Sequence, residues 1–530
     1  MPESKTASPS LEVELKLTFS QQQAARLRDC PALQRWQRDP LRREISRNSY
    51  YDSPARELAA ERIALRVREQ GGRCLQHVKA RAVDSSGLQA RPEWEWPLDD
   101  PRPRPELAAA EIDNSAVAAP LAAVAGRLTP IFGTHFERAS ALLEDGANAV
   151  ELCIDSGHIS AAGKQQALFE LELELQRGSP AFLYRVALAL LDHLPLRIAT
   201  DNKAQRGLAL YATAIGETPP APQPRRRRRI ELRRDWSAER ALQMILRDNL
   251  GMLLGNRDCA LRGDNPEGIH QSRVALRRLR SALSLFRDCL PDDATTGWLR
   301  DELKWLAGAL AAARDWDVFL GETLPATRAA LGDAAGGDDE LAAIRSAAQA
   351  RRSAAYREAA AALESPRATR LLLRLGQWLE GREWRRGSDK RTRARQRTAL
   401  RKLAGRLLQR RWKKLRRRAN RFATLSIAER HALRIDAKKM RYACDFFSSL
   451  YPRKQVRRIR RPLARMQSAL GQLNDIAVTE QRITELQLKS ERQWLAAGRL
   501  LGWRARSAAE EIESVAQIWR QLDEQRRFWR

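Results

Sequence analysis

The sequence predicts an α+β multidomain protein in which an N-terminal antiparallel β-barrel or tunnel is followed by a C-terminal all-α, internally duplicated helical bundle. Three observations indicate this architecture. Early segments alternate apolar and charged residues with a period of two, as in a strand with one charged face. Beyond Trp236, apolar residues recur at helical spacing instead. A proline-rich spacer at residues 218–224 separates the two patterns.

The first predicted strand, residues 11–19, alternates apolar and polar side chains. Because successive side chains of a strand point to opposite faces, Glu12, Glu14 and Lys16 share one face. Two carboxylates and an ammonium on one face suit a divalent cation beside a phosphate. For a single alternating strand, a solvated strand face is the preferred interpretation. The chemical interpretation therefore depends on whether the same pattern recurs.

Later segments repeat the pattern, with acids on some strands and bases on others. A sheet with one solvated face accounts for this, and so does a closed barrel with a charged lumen, since closure also removes the sheet edges. In the barrel, the acids would hold metal and the bases would hold an anion. The segments are residues 169–175 with Glu170, Glu172 and Glu174, residues 65–68 with Arg66 and Arg68, the strand end at Lys79, and residues 93–96 with Glu93 and Glu95.

Over about residues 9–215 these segments resemble the CYTH, or triphosphate tunnel metalloenzyme, family. Residues 12–16 match the ExExK signature of that family. Ser53 and His77 depart from the family pattern, because a threonine is common at both places. The supporting segments follow in the expected order: residues 50–53, 65–68, the strand end at Lys79, 136–138, 150–157, 169–175 and 201–207.

The resemblance implies metal-dependent hydrolysis of inorganic triphosphate to diphosphate and phosphate, with Mg²⁺ or Mn²⁺ as the cofactor. Glu174 is a further, weaker metal candidate, and Arg91 and Arg206 are possible additions to the basic set. The metal ligands that the resemblance implies are Glu12, Glu14, Asp155, Glu170 and Glu172. The basic catalytic residues that it implies are Lys16, Arg66, Arg68, Lys79, Arg138 and Lys203.

Charge divides unevenly along the 530 residues, whose net charge is +30. Residues 1–216 contain 27 basic and 28 acidic side chains, whereas the remainder contains 68 and 37, a net charge of +31. Such a surplus predicts a polyanionic partner or surface: nucleic acid, acidic lipid or inorganic polyphosphate. At the junction, residues 216–235 form a predicted Pro/Arg-rich linker. We interpret its arginine run, residues 225–229, as a solvated basic hinge.

The helical part, residues 236–520, contains an internal repeat of two units at about residues 236–395 and 396–520. Two groups of basic residues are offset by 161 positions, and Arg314-Asp315 and Asn474-Asp475 form a second signature offset by 160. Steps of 3, 7 and 10 residues keep each group on one helix face, while Val274 and Ile435 are expected to point toward a core. The groups are His270, Arg273, Arg277 and Arg280, and His431, Arg434, Lys438 and Arg441.

These two basic faces, if the units pack about a pseudo-twofold axis, would line one groove suited to a linear polyphosphate. A solvated basic helix face remains the alternative for either one alone. Residues 236–520 resemble the CHAD family, the conserved-histidine α-helical domain. That resemblance implies an all-helical, duplicated fold that binds inorganic polyphosphate, and CYTH followed by CHAD is similar to bacterial inorganic triphosphatase-like proteins.

Other functions remain open at this point. The sheet domain could act on thiamine triphosphate or a nucleotide, or the protein could be a polyphosphate-binding, granule-associated protein with little catalysis. Expected partners are inorganic triphosphate and long-chain polyphosphate, without specific nucleic acid or membrane and with the oligomeric state open. No helix-turn-helix, RNP or zinc-finger signature is present. Six scattered cysteines without a CxxC pair, together with a polar N-terminus, predict a cytoplasmic location that could include polyphosphate granules.

Overall fold

The computed structural model describes residues 10–80, 83–85, 88–331 and 337–529. The side chains of residues 10–11, 83–85, 89–91, 331, 337–340, 474–477 and 507–509 lie outside this description. The chain divides into two compact units. The sheet unit runs through Pro222 and also contains Glu364–Glu383, and the helical unit comprises Gln223–Leu363 and the chain from Trp384 onward.

Among the described residues, ten strands form one sheet in the sheet unit. Its order, β10-β1-β9-β8-β7-β2-β3-β4-β6-β5, has β10 and β5 at its ends, and β1 makes a further antiparallel pairing with β6. The strands are β1 (Ser10–Thr18), β2 (Arg42–Asp52), β3 (Ala64–Gln70), β4 (Arg73–Lys79), β5 (Val83–Ser85), β6 (Leu88–Leu98), β7 (Thr129–Asp145), β8 (Asn148–Ala161), β9 (Lys164–Arg177) and β10 (Arg197–Ile198).

In the described part of this unit, seven helices connect or cover the strands, and one helix from later in the chain joins them. The seven are α1 (Ala24–Arg28), α2 (Pro31–Gln34), α3 (Glu57–Ala60), α4 (Pro105–Glu111), α5 (Ser115–Val124), α6 (Ala181–Leu191) and α7 (Lys203–Ala214). Alternation leaves one face of the longer strands largely apolar, and α4, α5 and α6 pack against that face. Helix α7 packs instead on the face that carries the charged residues, since Phe136 and Leu168 beneath it lie two residues from Arg138 and Glu170. One core lies beneath α4 and α5, where Trp94 and Trp96 pack against Leu121.

A second core holds α7 against the long strands. Tyr50 and Phe132 stack with ring centroids 4.3 Å apart, and Phe136 and Leu168 lie beside them. Gly207 of α7 faces the Phe132 ring, and an added Cβ would overlap that ring. The glycine therefore permits the close approach that fixes α7, and with it Lys203 at the start of this helix, next to the sheet.

The helical unit and the late helix of the sheet unit account for the remaining elements. They are α8 (Ala238–Leu254), α9 (Arg257–Arg262), α10 (Glu267–Leu285), α11 (Ala294–Ala309), α12 (Ala311–Val318), α13 (Leu324–Leu331), α14 (Gly337–Glu364), α15 (Pro366–Glu380), α16 (Lys390–Arg397), α17 (Leu400–Ala419), α18 (Ile427–Phe446), α19 (Arg453–Glu485) and α20 (Glu491–Asp523). The prediction of a sheet followed by helices is confirmed, whereas barrel closure stays a prediction.

Helix α15 belongs to the sheet unit although it lies far along the chain. Its Gly376 faces the buried ring of Tyr184 on α6, and an added Cβ would overlap that ring. Arg370 pairs with Asp192 at 2.6 Å at the end of α6. Distant sequence position hides this packing, because a helical pattern does not reveal which partner an apolar face covers. The predicted boundaries at 9–215, 216–235 and 236–520 stay predictions.

The structure corrects two details of the sequence interpretation. Val274 is half-buried and Ile435 is 38% exposed, so neither points into a core as expected. The arginine run after the proline spacer is not a freely solvated hinge. Arg227 forms an ion pair of 2.6 Å with the buried Asp445, and the Arg225 backbone N–H donates to Asn256 Oδ1 at 2.9 Å. A buried carboxylate needs a cation, and the linker supplies one.

Within the ranges that the structure describes, none of the helices combines the length and the apolar character needed to cross a bilayer. All six cysteines are free thiols.

Candidate functional site

Strand β1 places Glu12, Glu14 and Lys16 on the charged face of the sheet, while Leu15 and Leu17 are fully buried on the other. Lys16 Nζ lies 2.6 Å from Glu14 Oε2 and also donates to Glu172 Oε1 of β9. In the sheet register, Lys16 lies directly opposite Glu172. The alternating pattern of the first strand therefore produces a buried ion pair with a strand more than 150 residues away.

Strands β7, β8 and β9 and helix α7 complete a dense network of opposite charges. Lys203 Nζ lies 2.8 Å from Asp155, 2.5 Å from Glu170 and 2.8 Å from Glu172. Arg138 donates through two nitrogens to the Asp155 carboxylate at 2.8 and 2.7 Å, and to Glu172 at 2.7 Å. Asp155 and Glu170 are fully buried, so each carboxylate depends on these cations for its charge.

The pKa values in this network follow from burial and from the charges beside each group. Burial alone would lower the pKa of Lys16, but Glu14 and Glu172 hold it well above its usual value. Burial alone would raise the pKa of Glu172, but Lys16 and Lys203 hold it well below its usual value. For Glu12, burial dominates and raises the carboxyl pKa despite Lys79. The face is therefore rich in ionised groups of both signs.

Strands β3, β4 and β6 contribute a second group of charges. Lys79 Nζ lies 2.8 Å from Glu12 Oε2 and 2.9 Å from Glu93 Oε2, so it joins β4 to both β1 and β6. Arg66 Nη2 lies 3.6 Å from Glu93 Oε1. His77 Nδ1 lies 2.9 Å from the same Glu93 oxygen. Glu93 is therefore a central member of the site.

Arg68 is the least neutralised cation of the sheet site. Its Nε donates a hydrogen bond of 3.3 Å to Asn48 Oδ1. Burial, followed by repulsion from Arg66 and Arg138, lowers the pKa of Arg68 to about 10. Three arginines that repel one another mark a place where an added anion would be strongly stabilised.

The structure brings together all eleven residues predicted for the sheet site, through the chain of ion pairs above and the repulsion among the arginines. Sequence reasoning missed Glu93 as a site residue, although the alternation of residues 93–96 was a usable signal. Of the possible additions, Arg206 donates to the Ala167 carbonyl at 2.7 Å and lies 3.9 Å from Glu170, whereas the Arg91 side chain lies outside the described residues.

The carboxylates partly fit a divalent cation. Their oxygens are the hard ligands that Mg²⁺ and Mn²⁺ prefer, and Glu170 Oε2 is buried without a hydrogen-bond partner among the described residues. The described side chains nevertheless contain no ready group of three or more His, Cys, Asp or Glu placed to hold a metal ion, because Lys16 and Lys203 separate the carboxylates. Such a donor set suits a cation that shares its coordination with substrate phosphates.

In the helical unit, α10 carries the first predicted basic face, with His270, Arg273 and Arg277 half-buried and Arg280 exposed. Arg273 donates to the Ala307 carbonyl at 2.9 Å. Burial lowers the Arg273 pKa to about 10 despite the opposite charge of Asp315. Burial followed by repulsion from Arg314 lowers the pKa of His270. The three arginines of this face are therefore only partly neutralised, and the histidine beside them is uncharged near neutral pH.

Helix α18 carries the second basic face, with His431 exposed and Arg434, Lys438 and Arg441 half-buried. The two faces approach each other at Tyr442. Arg277 Nε donates to the Tyr442 hydroxyl at 3.3 Å, and the Arg441 guanidinium lies 5.4 Å from the centre of the Tyr442 ring. Helices α10 and α18 therefore contact each other at Tyr442, which the sequence interpretation did not single out, and the shared groove stays a prediction.

Of the second signature, Arg314-Asp315 and Asn474-Asp475, the structure describes the side chains of the first pair. Asp315 lies 3.7 Å from Arg482, and Arg314 lies 3.0 Å from Glu322. Burial raises the pKa of Asp315 although Arg273 lies nearby. The side chains of Asn474 and Asp475 lie outside the described residues.

Comparison with known proteins agrees with the division of the chain into a sheet unit and a helical unit. The family model of the CYTH domain matches residues 10–208, and that of the CHAD domain matches residues 244–484. The chain therefore carries a CYTH domain followed by a CHAD domain, and the family resemblance of the motifs is confirmed.

Three relatives illustrate the match. A Haemophilus influenzae inorganic triphosphatase is 30% identical over 163 residues, which cover 31% of this chain and 45% of that protein. An uncharacterised Mycobacterium tuberculosis protein is 29% identical over 293 residues, 51% of each chain. The crystal structure of the CHAD domain from the plant Ricinus communis is 32% identical, with a TM-score of 0.50, covering 57% of this chain and 98% of that one. The chain thus spans about half the length of the curated relatives it matches.

Proposed function

We propose that the sheet unit hydrolyses inorganic triphosphate to diphosphate and phosphate with the help of Mg²⁺ or Mn²⁺. The observation that carries this proposal is the charged face itself, where six bases and five acids converge from six strands and α7. Phosphoryl transfer needs positioning and charge neutralisation more than covalent participation by the protein. The similarity to a triphosphatase over part of the chain supports the same reaction.

The proposed site takes the form of a tunnel. Strand β1 pairs with β9 through residues 14–18 and with β6 through residues 10–14, which brings two separate parts of the sheet to the same strand. Lys79 bonding to Glu12 joins the charged faces of those parts. A curled sheet with this face inward would surround a linear triphosphate with charge.

In the proposed mechanism, the arginines and lysines bind the phosphate oxygens, the arginines through paired N–H groups and the lysines as point charges. Lys16 and Lys203 exchange part of their carboxylate contacts for substrate contacts. The carboxylates so released, Glu14, Glu170 and Glu172 among them, would hold the cation together with Glu12, whose partner is Lys79. The cation supplies charge neutralisation and orients water when bound. The water oxygen bonds to a terminal phosphorus while the bond from that phosphorus to the bridging oxygen breaks. The electrons of the broken bond leave with diphosphate, and the proton lost by the attacking water passes to solvent.

Phosphate release from tripolyphosphate, long-chain polyphosphate, ATP and thiamine triphosphate, measured side by side with Mg²⁺ and with Mn²⁺, tests this proposal. Tripolyphosphate is expected to be the fastest substrate, and chelation of divalent cations should stop the reaction. A faster reaction with thiamine triphosphate or ATP would support the alternative of an organic triphosphate substrate. Absence of release from all four would support a binding protein with little catalysis.

We further propose that the helical unit binds long-chain inorganic polyphosphate along its two basic faces and could thereby associate the protein with polyphosphate granules. The support is the net charge of +31 beyond residue 216 and the approach of Arg277 and Arg441 at Tyr442. Polyphosphate carries a negative charge on every phosphate unit, which matches two rows of partly neutralised cations.

Competition binding tests the second proposal. Fluorescent long-chain polyphosphate bound to the full-length protein is displaced with unlabelled polyphosphate, duplex DNA or RNA at equal phosphate concentration and equal salt. Polyphosphate is expected to compete best. Equal competition by nucleic acid would reduce the proposal to general polyanion binding.

A further inference from the structure

Two buried nitrogen atoms on the charged face make no hydrogen bond within the described residues. His77 is 1% exposed and Arg66 is 8% exposed. Neither His77 Nε2 nor Arg66 Nε has a hydrogen-bond partner among the residues that the structure describes. The two residues lie directly opposite each other on β4 and β3, which puts their side chains on the same face with Cβ atoms about 5 Å apart.

The remaining contacts determine which role each nitrogen plays. His77 Nδ1 lies 2.9 Å from Glu93 Oε1 and 3.3 Å from Glu95 Oε2. Burial, with repulsion from Arg66, lowers the pKa of His77 to about 3, so the ring is neutral. Although burial opposes it, the bond to His77 helps hold the Glu93 pKa below its usual value. An ionised carboxylate only accepts, so Nδ1 carries the hydrogen and Nε2 offers a lone pair.

We infer that Arg66 Nε and His77 Nε2 together bind an O–H group, which accepts a hydrogen bond from the arginine and donates one to the histidine. This inference rests on the proposed triphosphatase function and adds a positioning site to it. A fully ionised phosphate oxygen would satisfy Arg66 but would face the histidine lone pair without a hydrogen to donate. A water molecule or the protonated terminal phosphate of the substrate satisfies both atoms.

The inferred site explains why a neutral histidine lies among cations. Buried donors and acceptors are almost always paired in folded proteins, and two adjacent unpaired atoms of complementary type indicate a shared partner. Glu93 holds the ring by Nδ1 and lies 3.6 Å from Arg66 Nη2, so it orients both residues. The pair would then hold a water near the phosphates or select a protonated terminal phosphate.

Two substitutions in the full-length protein test the inference. His77→Gln retains an amide oxygen as an acceptor, whereas His77→Leu retains the bulk without one. We expect His77→Leu to lower kcat/KM for tripolyphosphate about tenfold or more and His77→Gln to restore most of that loss, with similar melting temperatures for the two variants. Unaltered kinetics in both variants, or equal losses of activity and melting temperature in both, would overturn the inference.

The pH dependence distinguishes the two sources of the O–H group. If the group is water, His77→Leu lowers kcat and leaves the dependence of KM on pH unchanged. If it is the protonated phosphate, the wild-type KM rises with pH as the terminal phosphate loses its last proton, and His77→Leu flattens that rise. Either result supports the site.

A binding measurement separates failure of this inference from failure of the proposed function. If the wild-type protein releases no phosphate, the triphosphatase proposal fails, and calorimetric binding of tripolyphosphate to the wild type and both variants then decides the inference. Weaker binding by His77→Leu, with recovery in His77→Gln, supports the site. Identical binding by all three proteins contradicts it.

Discussion

On the charged face of the sheet, Lys203 lies within 2.8 Å of three carboxylates, whereas Arg273 on α10 donates a hydrogen bond to a backbone carbonyl. The sheet holds acids and bases in nearly equal numbers, and the pKa of Lys203 is raised by its acidic neighbours although burial opposes this. The helix faces hold mainly bases, and the pKa of Arg273 is lowered to about 10.

The difference indicates two kinds of anion site. In the sheet site, the cations are already paired with carboxylates of the same face, so a bound anion must replace some of those ion pairs. The site can therefore select one substrate shape, and the released carboxylates can bind a metal ion. A row of excess cations instead gains binding energy from any aligned phosphate and loses it to salt. The first arrangement suits catalysis on a short substrate, and the second suits retention of a long polymer.

The largest expected effect separates the two regions by activity. Glu12→Gln combined with Glu14→Gln should lower kcat for tripolyphosphate by ~10³-fold, because carboxylates that help hold a catalytic cation supply several kcal/mol of charge stabilisation. Steady-state phosphate release measures it. Glu61→Gln combined with Glu106→Gln, two exposed residues of the same unit, is the matched control. Near-normal turnover in the Glu12/Glu14 variant would remove these residues from the site.

A pair of arginine variants tests the internal neutralisation of the sheet. Arg138→Leu removes two hydrogen bonds from the fully buried Asp155 and leaves that carboxylate with Lys203 as its remaining cation, so it should lower the free energy of unfolding by about 3 kcal/mol. Arg68→Leu removes a cation repelled by Arg66 and Arg138, so it should change stability little and impair substrate binding instead. Urea unfolding and KM measurements decide; equal destabilisation by both would contradict the asymmetry.

The helical faces should respond to salt. Replacing Arg273, Arg277, Arg434 and Lys438 together by Gln keeps much of each side-chain stem but removes four charges. The slope of log affinity for polyphosphate against log salt should then become less steep by ~3, because fewer phosphates are neutralised and fewer counterions are released on binding. Binding titrations from low to high salt measure the slope. The control changes four exposed arginines to Gln, Arg226, Arg228, Arg391 and Arg393. An equal change of slope in the control would show that total charge alone matters.

The smallest expected effect concerns pH and Glu174. Burial, followed by repulsion from Glu12, raises the pKa of this carboxyl from 4.5 to about 7. The folded state therefore binds more protons than the unfolded state between these values, and the stability contribution falls as pH rises through that window. Glu174→Gln should reduce the loss of stability with rising pH. The melting temperature of the variant should exceed that of the wild type at pH 8, and the two melting temperatures should differ less at pH 5. Parallel melting curves across this range would contradict the shift.

Much of the sheet site is readable from local sequence because strand alternation fixes which side chains share a face. Glu12 and Lys16, or Arg66 and Arg68, follow from spacing alone. Contacts between segments that are far apart in the chain do not follow from such spacing. The three carboxylates that surround Lys203 depend on strand register and on Gly207 allowing α7 to approach Phe132, which no local pattern reveals.

The helical unit shows the same division between local and tertiary information. Helical spacing correctly placed the basic residues of α10 and α18 on their helices. It did not reveal Tyr442 between them, the bond from Arg227 to Asp445, or the packing of α15 on α6. These depend on contacts between segments far apart in the chain, and an apolar or charged face does not encode its partner.

The central claim is that the sheet unit hydrolyses triphosphate and the helical unit binds long-chain polyphosphate. Measuring both properties in the same three full-length proteins tests this claim most directly. Tripolyphosphate turnover and polyphosphate affinity are recorded for the wild type, the Glu12/Glu14 variant and the four-residue variant of the helix faces. We predict that the first variant loses turnover and keeps affinity, while the second keeps turnover and loses affinity. Loss of both properties in either folded variant would contradict the separation of the two roles.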